Sequence, residues 1–185
     1  MDVRAWMEPD PPTVLATTPV EEAQKLAQDL GLALVLVVDE EGRLVGFLTR
    51  KALDAAPKPD LPAGKLAAQP TVVLQADDPV ERALALLVDR YAVLPVLEGE
   101  RLVGVITRGG ALRALVRMTG LGEEGTRIRL RLGDHREIYR VLEVLSRNDL
   151  ELVSVTRSGE GEVVLHVRGL SDKEGLMREL KEALG

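Results

Sequence analysis

The stretch RLVGFLTRKAL, residues 43–53, returns almost unaltered as RLVGVITRGGAL at residues 101–112. In each copy an apolar run reaches a glycine, then two apolar residues, a threonine and an arginine. A sequence that returns after about sixty residues indicates one supersecondary unit used twice, with each copy covering an apolar face that the other cannot bury alone. The first two thirds of the chain are therefore predicted to be a tandem repeat.

The composition is typical of a globular protein with room for two modest domains. The chain has 185 residues, of which 45% are hydrophobic. A net charge of −6 and an aromatic content of 2% disfavour nucleic acid as a partner, because a positive surface and stacking side chains are both scarce. No apolar run approaches the ~20 residues of a membrane helix, and no signal-like segment opens the chain. We therefore predict a cytoplasmic protein that does not bind a membrane.

Side chains for catalysis or metal binding are few. The absence of cysteine excludes disulfides, zinc–thiolate sites and thiol nucleophiles. The two histidines, His135 and His166, lack metal-ligand spacing, and His166 is predicted to lie on the polar face of a strand. The serines show no nucleophile-elbow context. We therefore predict a protein that is not an enzyme and holds no metal. The lack of cysteine and the single asparagine, Asn148, are typical of a heat-adapted source.

Each repeat is predicted to fold as β-α-β-β-α. Helical periodicity, a glycine after the first helix and continuous apolar runs of strand length indicate the elements. The first repeat is predicted to have strands at 13–15, 32–38 and 43–49 and a helix at 19–30. The second is predicted to have helices at 79–89 and 110–118 and strands at 92–97 and 101–107.

Helix starts and connections are predicted from local sequence. Thr18 and Asp78 each precede a proline, and each is predicted to cap the first helix of its repeat. Residues 1–12 are proline-rich and are predicted to form no element of their own. Residues 55–64, with three prolines, are predicted to be the linker between the repeats.

Residues 119–125, TGLGEEG, contain a formal G-x-G-x-x-G pattern. In a dinucleotide-binding fold this pattern follows a strand and opens a helix. Here it follows a predicted helix and precedes a predicted strand. The preferred interpretation is an interdomain linker, and the alternative is a phosphate-binding loop.

Beyond this segment the pattern is again β-α-β-β-α. Strands are predicted at 126–132, 151–157 and 162–168, with an SGEG turn between the last two and a final helix at 172–184. The first helix is predicted to be capped by Asp134 and to carry Ile138, Val141, Leu142 and Leu145 on one face. A split β-α-β arrangement forms a ferredoxin-like sheet, so the predicted fold class is α+β.

Several segments recur in register in the two repeats. They are TTPVEEA (17–23) with DDPVERA (77–83), and VLVVDEEGRLVGFLTR (35–50) with LPVLEGERLVGVITR (94–108). With these residues both copies resemble CBS domains, and the pair resembles a Bateman module. The segment NDLELVSVTRSGEGEVVLHV (148–167) gives the last part a resemblance to an ACT domain. A CBS pair followed by an ACT domain is the order of acetoin-utilisation-type proteins.

The predicted domains follow from these resemblances. They are CBS repeats at 1–56 and 57–118, with a linker at 57–64, then a second linker at 119–125 and an ACT-like domain at 126–185.

The resemblance implies two ligand clefts. In CBS domains a G-h-x-T/S-x-x-D/N stretch, with h apolar, contacts the ribose and phosphates of an adenosyl ligand. This contact falls at Thr49 and Thr107. The acid of the pattern falls at Ala52 and Gly110, so a charged hydrogen bond worth roughly 1.5–3 kcal/mol is lost. The implied adenine side consists of Pro12, Leu32 and Ala33 facing Thr107, and of Val72, Tyr91 and Ala92 facing Thr49.

Two interpretations of the threonines stay open. Each caps the helix that follows, or each contacts a ligand. The basic residues beside them favour an anion, because cations in a first helical turn oppose the helix dipole; they are Arg50, Lys51 and Arg108. Tyr91 is either a core or rim residue or a stacking residue.

The turn GDHRE, 133–137, lacks the glycine that follows the acid in the ACT pattern. The ACT-like domain is therefore predicted either to dimerise or to bind a second small effector such as an amino acid. The resemblances together imply a homodimeric regulatory protein that binds AMP, ADP, ATP or S-adenosylmethionine, requires no cofactor and acts on an unknown target protein, with a link to acetoin utilisation. The alternatives are a ligand-free assembly scaffold and an enzyme of acetoin metabolism.

Overall fold

The computed structural model describes residues 1–159 and 161–185. Glu160, in the predicted SGEG turn, lies outside the described residues. The chain divides into two units, Met1–Ala114 and Leu115–Gly185. No helix among the described residues is both long and apolar enough to cross a membrane.

The first unit contains the first repeat and the second repeat as far as Ala114, and each repeat follows the predicted β-α-β-β-α order. A 3₁₀ turn at Val3–Ala5 and the short strand β1 (Glu8–Pro9) precede them. The first repeat consists of β2 (Thr13–Leu15), α1 (Val20–Asp29), β3 (Leu34–Val38), β4 (Leu44–Thr49) and α2 (Arg50–Asp54). After the short helix α3 (Ala63–Leu66), the second repeat consists of β5 (Leu74–Gln75), α4 (Val80–Asp89), β6 (Val93–Glu98), β7 (Arg101–Thr107) and α5 (Arg108–Thr119).

The two repeats build separate sheets, and backbone hydrogen bonds join their hairpins. The first sheet has the order β2-β3-β4, and the second has the order β1-β7-β6-β5. The β3–β4 and β6–β7 hairpins meet where Arg43 pairs with Arg101, and Leu44 N–H donates to Glu100 O at 3.2 Å. Strand β3 is buried over four consecutive residues, as its continuous apolar run predicts.

The N-terminal segment is an element of the fold, contrary to the prediction for residues 1–12. Residues 1–9, the N-terminal arm, lie against the second repeat, where Glu8 pairs with Val105 of β7. Val3 N–H donates to Asp78 O at 2.9 Å, and the Val3 side chain is fully buried. The prediction was wrong because these bonds join segments that are far apart in sequence.

Residues 61–69, the central arm, lie against the first repeat in the same way. Ala68 pairs with Phe47 of β4, and Ala63 is fully buried. The prediction of an irregular linker at 55–64 is wrong at its end, because α3 begins at Ala63. Each arm therefore precedes one repeat in the sequence and packs on the other.

Backbone carbonyls of the arms accept the first hydrogen bonds of the repeat helices. Val20 N–H, at the start of α1, donates to Leu61 O at 2.9 Å. Val80 N–H, at the start of α4, donates to Met1 O at 3.0 Å. The first N–H groups of a helix have no partner within it, so each arm satisfies a donor of the repeat on which it packs.

The prediction that Thr18 and Asp78 cap α1 and α4 is wrong. Both helices lack a side-chain cap. Leu15 N–H donates to Thr18 Oγ1 at 3.1 Å, and Gln75 N–H donates to Asp78 Oδ2 at 2.8 Å. The two side chains close the turn between strand and helix, while the arms supply acceptors to the helices.

Glycine is required where each arm crosses its sheet. A Cβ at Gly46 would lie 2.6 Å from Ala68 O, and a Cβ at Gly104 would lie 2.9 Å from Glu8 O. Both distances are shorter than a carbon–oxygen contact allows. The glycine of the repeated RLVG sequence is therefore explained by the close approach of an arm backbone.

The second unit has the predicted element order. Its elements are β8 (Thr126–Arg131), α6 (Glu137–Arg147), β9 (Glu151–Arg157), β10 (Glu162–Arg168) and α7 (Lys173–Leu184). The antiparallel sheet has the order β8-β10-β9, in which the last strand in sequence is central. The core contains Ile128, Leu130, Val141, Val144, Leu145, Val163, Leu165, Val167, Leu176 and Leu180. Asp134 does not cap α6, because it accepts from Arg136 N–H at 2.7 Å within the preceding turn.

His166 is buried, contrary to the prediction of a polar-face residue. Only 1% of its surface is exposed. Two of the three glycines of the TGLGEEG segment lie against it, since a Cβ at Gly125 would lie 2.6 Å from its Nε2 and a Cβ at Gly120 would lie 3.0 Å from its Nδ1. Both glycines also have positive φ angles. Packing on His166 and backbone conformation therefore account for them without a phosphate.

The substitution Gly46→Ala is expected to lower the free energy of unfolding by about 1–3 kcal/mol, because the added methyl group meets the backbone carbonyl of Ala68. The matched control is Gly109→Ala, whose Cβ would meet no atom closer than 3.5 Å. Alanine there also favours the helix. Urea unfolding of both variants measures the difference, and equal stabilities would contradict the close packing of the central arm.

Candidate functional site

Thr49 and Thr107 end β4 and β7, and each caps the helix that follows. Thr49 Oγ1 accepts from Ala52 N–H at 3.2 Å, and Thr107 Oγ1 accepts from Gly110 N–H at 3.3 Å. The capping interpretation is therefore confirmed. The ligand interpretation stays a prediction at both positions. The Thr49 hydroxyl still has a proton to donate, whereas the Thr107 hydroxyl donates its proton to Glu8 Oε1.

The arginines after these threonines reach back to the preceding helix. Arg50 Nη2 donates to Leu32 O at 3.1 Å. Arg108 Nε donates to Leu87 O at 2.9 Å and to Tyr91 O at 3.2 Å. These carbonyls lie at or just beyond the C-terminal ends of α1 and α4, where a cation suits the helix dipole. Both arginines therefore have a role that needs no ligand.

A cavity of about 220 Å³ lies beside Tyr91. It is lined by the three residues that the CBS resemblance places opposite Thr49, which are Val72, Tyr91 and Ala92. Leu34 and Phe47 of the first repeat line the same cavity. Thr49 adjoins the cavity rather than lining it, because Leu34 lies directly across from Thr49 in the β3–β4 pairing.

The cavity wall is mainly apolar. Thr71 Oγ1 and Tyr91 OH form a hydrogen bond of 3.0 Å, which holds the tyrosine ring in place. Walls of this kind suit a flat ring with few polar groups. The lining residues that the sequence analysis missed are Leu34, Phe47, Gln69, Pro70, Thr71, Arg90, Val93, Leu94 and Pro95. Most of them flank Val72 or Ala92 in sequence, so their position next to these predicted residues could have identified them.

The polar end of the second predicted cleft, at Thr107, is arranged differently. Glu8 of the N-terminal arm lies beside it, with Oε1 3.1 Å from Thr107 Oγ1. A Cβ at Gly110 would lie 2.6 Å from Trp6 O. The arm therefore leaves no room for the acid that the CBS pattern has at this position. The sequence analysis missed Glu8 because its segment was predicted to form no element.

The other residues predicted for this cleft lie in the first repeat. Arg50 N–H donates to Ala33 O at 3.4 Å, and the Arg50 side chain binds Leu32 O. Pro12 is exposed before β2. The described hydrogen bonds therefore connect Leu32 and Ala33 with Arg50, and their role towards a ligand at Thr107 stays a prediction.

The GDHRE turn lines a cavity of about 450 Å³ in the second unit. Gly133 N–H donates to Glu137 Oε2 at 2.7 Å, so a backbone donor of the turn already has a carboxylate partner. The cavity is lined by Leu132, Gly133, Asp134, His135, Ile138, Val155, Arg157, Gly161 and Val163. A role in binding a second effector stays a prediction.

The substitution Arg50→Ala is expected to lower the free energy of unfolding by about 1 kcal/mol, because carbonyls at the end of α1 lose a charged donor. Lys51→Ala removes the same charge from the exposed neighbouring position and should change it by less than about 0.5 kcal/mol. Thermal unfolding compares the two variants. Equal losses would show that the bonds to the helix end are without effect.

The chain is similar to known proteins over part of its length. The model of the CBS domain matches residues 2–57 and 63–117. The A-adding tRNA nucleotidyltransferase of Aquifex aeolicus (strain VF5) is 34% identical over 109 residues, which are 57% of this chain. The chain spans only 13% of the length of that relative.

Two solved structures are similar in fold. The structure of CBSX2 in complex with AMP is 25% identical, with a TM-score of 0.55 over 62% of this chain and 96% of that chain. A CBS domain pair/ACT domain protein from Thermotoga maritima is 25% identical, with a TM-score of 0.56 over 63% of this chain and 97% of that chain. Because the matching family model covers more than half of the residues, in two copies, the chain belongs to the CBS domain family.

Proposed function

We propose that the CBS pair binds an adenine nucleotide in the cavity beside Tyr91, and that the chain is a regulatory protein which responds to it. The observation that carries the proposal is the cavity itself, in which Val72, Tyr91 and Ala92 form a common wall. CBSX2, which is similar to this chain, has been solved in complex with AMP. A purine ring is flat and largely apolar on its faces, as this wall requires.

The ring of Tyr91 is held in position by a hydrogen bond. Tyr91 is half-buried, and its hydroxyl is bonded to Thr71 at 3.0 Å. A ring that is already fixed loses little side-chain entropy when a base packs against it. The Thr49 hydroxyl, next to the cavity, retains a proton for a ribose or phosphate oxygen. Ala52 offers no carboxylate to the ribose, so we expect roughly ten- to a hundredfold weaker binding than with an acid there.

Binding in this cavity couples the two repeats. Leu34 and Phe47 come from the first repeat, whereas Tyr91 and Ala92 come from the second. A ligand held by both repeats favours the arrangement in which both walls contact it. The proposed signal is therefore a change in the relative stability of arrangements of the CBS pair.

The second unit is proposed to be an ACT-like module that dimerises or binds a second small effector. Its β-α-β-β-α order and its cavity of about 450 Å³ support this proposal. A homodimer would pass the change in the CBS pair to an unidentified target protein in the cytoplasm. The link to acetoin utilisation rests on the order of the two modules.

A ligand-free assembly scaffold is the second candidate function. It is favoured by the groups that already have partners within the chain. Thr49 and Thr107 cap helices, and Arg50 and Arg108 bind backbone carbonyls. In a scaffold these side chains would have only this structural role.

Calorimetric titration and thermal unfolding with AMP, ADP, ATP and S-adenosylmethionine test the proposal. A nucleotide at about a hundred times its Kd should raise the free energy of unfolding by roughly 2.7 kcal/mol. Tyr91→Ala should weaken AMP binding about tenfold or more, because base–aromatic stacking is worth roughly 1–3 kcal/mol.

The matched control is the other tyrosine of the chain. Tyr139, on α6, is 70% exposed, and Tyr139→Ala should leave the affinity for AMP unchanged. Equal affinities of the Tyr91 and Tyr139 variants would place the ligand elsewhere. If none of the four compounds binds the wild-type chain, the scaffold function replaces the proposed one.

A further inference from the structure

The two arms lie on equivalent strands but carry different side chains. Glu8 of the N-terminal arm pairs with Val105 of β7, and Ala68 of the central arm pairs with Phe47 of β4. Val105 and Phe47 each lie two residues before the capping threonine of their repeat. At this position the two repeats therefore have the same backbone pairing, but the arm side chain is a carboxylate at Glu8 and a methyl group at Ala68.

Glu8 accepts the one hydrogen bond that the Thr107 hydroxyl can donate. Its Oε1 lies 3.1 Å from Thr107 Oγ1. The threonine oxygen accepts the Gly110 N–H at 3.3 Å, so its single proton is donated to the carboxylate. The hydroxyl then has both a donor and an acceptor partner within the chain.

The same carboxylate lies at the beginning of α5, a helix of 12 residues. The N-terminus of a helix attracts anions through its unpaired N–H groups and its dipole. Trp6 O lies over the first turn of α5, 2.6 Å from where a Cβ at Gly110 would be. The N-terminal arm therefore covers this helix start and places its own negative charge there.

We propose that Glu8 excludes phosphate-bearing ligands from the cleft at Thr107, so that each chain binds one nucleotide, in the cavity beside Tyr91. This inference rests on the proposed nucleotide function. A phosphate at Thr107 must displace Glu8 from its hydrogen bond or lie next to a like charge, and both oppose binding. At the equivalent position of the other arm, Ala68 has no charge to compete with a phosphate.

The difference between the two clefts determines how many nucleotides the proposed sensor binds. With two equal clefts, one chain would bind two nucleotides, and its response would depend on both. With one cleft closed to phosphates by its own arm, the CBS pair responds to a single binding event. Glu8 is therefore proposed to be a specificity-determining residue that acts by its charge.

Calorimetric titration of the full chain with AMP tests the inference through stoichiometry. The wild-type chain should bind one AMP. Glu8→Gln keeps the length of the side chain and an acceptor for Thr107 but removes the charge, and this variant should bind two. Trp6 is the single tryptophan and lies at this helix start, so its fluorescence should change as the second AMP binds.

The matched variant Ala68→Glu brings a carboxylate to the equivalent position of the first repeat. It should weaken AMP binding beside Tyr91 about tenfold or more, because like charges a few ångströms apart repel with an energy of that order. Both positions are exposed, so neither change disturbs the core.

Two AMP bound per wild-type chain, or one bound by both the wild type and Glu8→Gln, would overturn the inference and leave the nucleotide function intact. Unchanged affinity in Ala68→Glu would overturn the role of charge. No AMP bound by the wild type or by Glu8→Gln would overturn the proposed function and this inference with it.

Discussion

The reciprocal docking of the two arms is the interaction on which the first unit depends. Each arm is continuous with one repeat and hydrogen-bonded to the other, so the two repeats stabilise each other through backbone bonds as well as through apolar packing. The first N–H groups of α1 and α4 find acceptors in Leu61 and Met1, residues of the arms. Gly46 and Gly104 permit this docking, because a side chain at either position would collide with an arm backbone. The glycine of the repeated RLVG sequence is therefore explained by the packing of an arm on each repeat.

The docking also gives the two predicted clefts different side chains. Where the central arm crosses β4, it presents Ala68, and a cavity lies nearby, walled by both repeats. Where the N-terminal arm crosses β7, it presents Glu8, whose carboxylate accepts a hydrogen bond from the hydroxyl of Thr107. Two copies of one sequence motif are thus given different surroundings by the segments that cross them. The two threonines of the repeated motif therefore have different hydrogen-bonding partners and are not equivalent as ligand contacts.

The sequence predicted most of the elements and few of the contacts between distant segments. Periodicity and continuous apolar runs predicted the repeat strands and helices because these signals are local. The caps assigned to Thr18 and Asp78 were wrong because the acceptors for α1 and α4 come from remote carbonyls, which no local pattern records. The contact between Glu8 and Thr107 spans 99 positions and was missed for the same reason. His166 was misplaced because the segment that covers it is irregular.

The site was predicted in part, through resemblance rather than periodicity. Val72, Tyr91 and Ala92 line one cavity as the CBS resemblance implied, whereas Phe47, which lines the same cavity, belongs to the other repeat, and no sequence pattern pointed to it. A crystal structure of the full chain grown with AMP tests the central claim, that docked arms make two similar clefts unequal. The account predicts one AMP per chain, with its base against Tyr91, and Glu8 still bonded to Thr107. An AMP phosphate bound at Thr107, with Glu8 displaced, would contradict it.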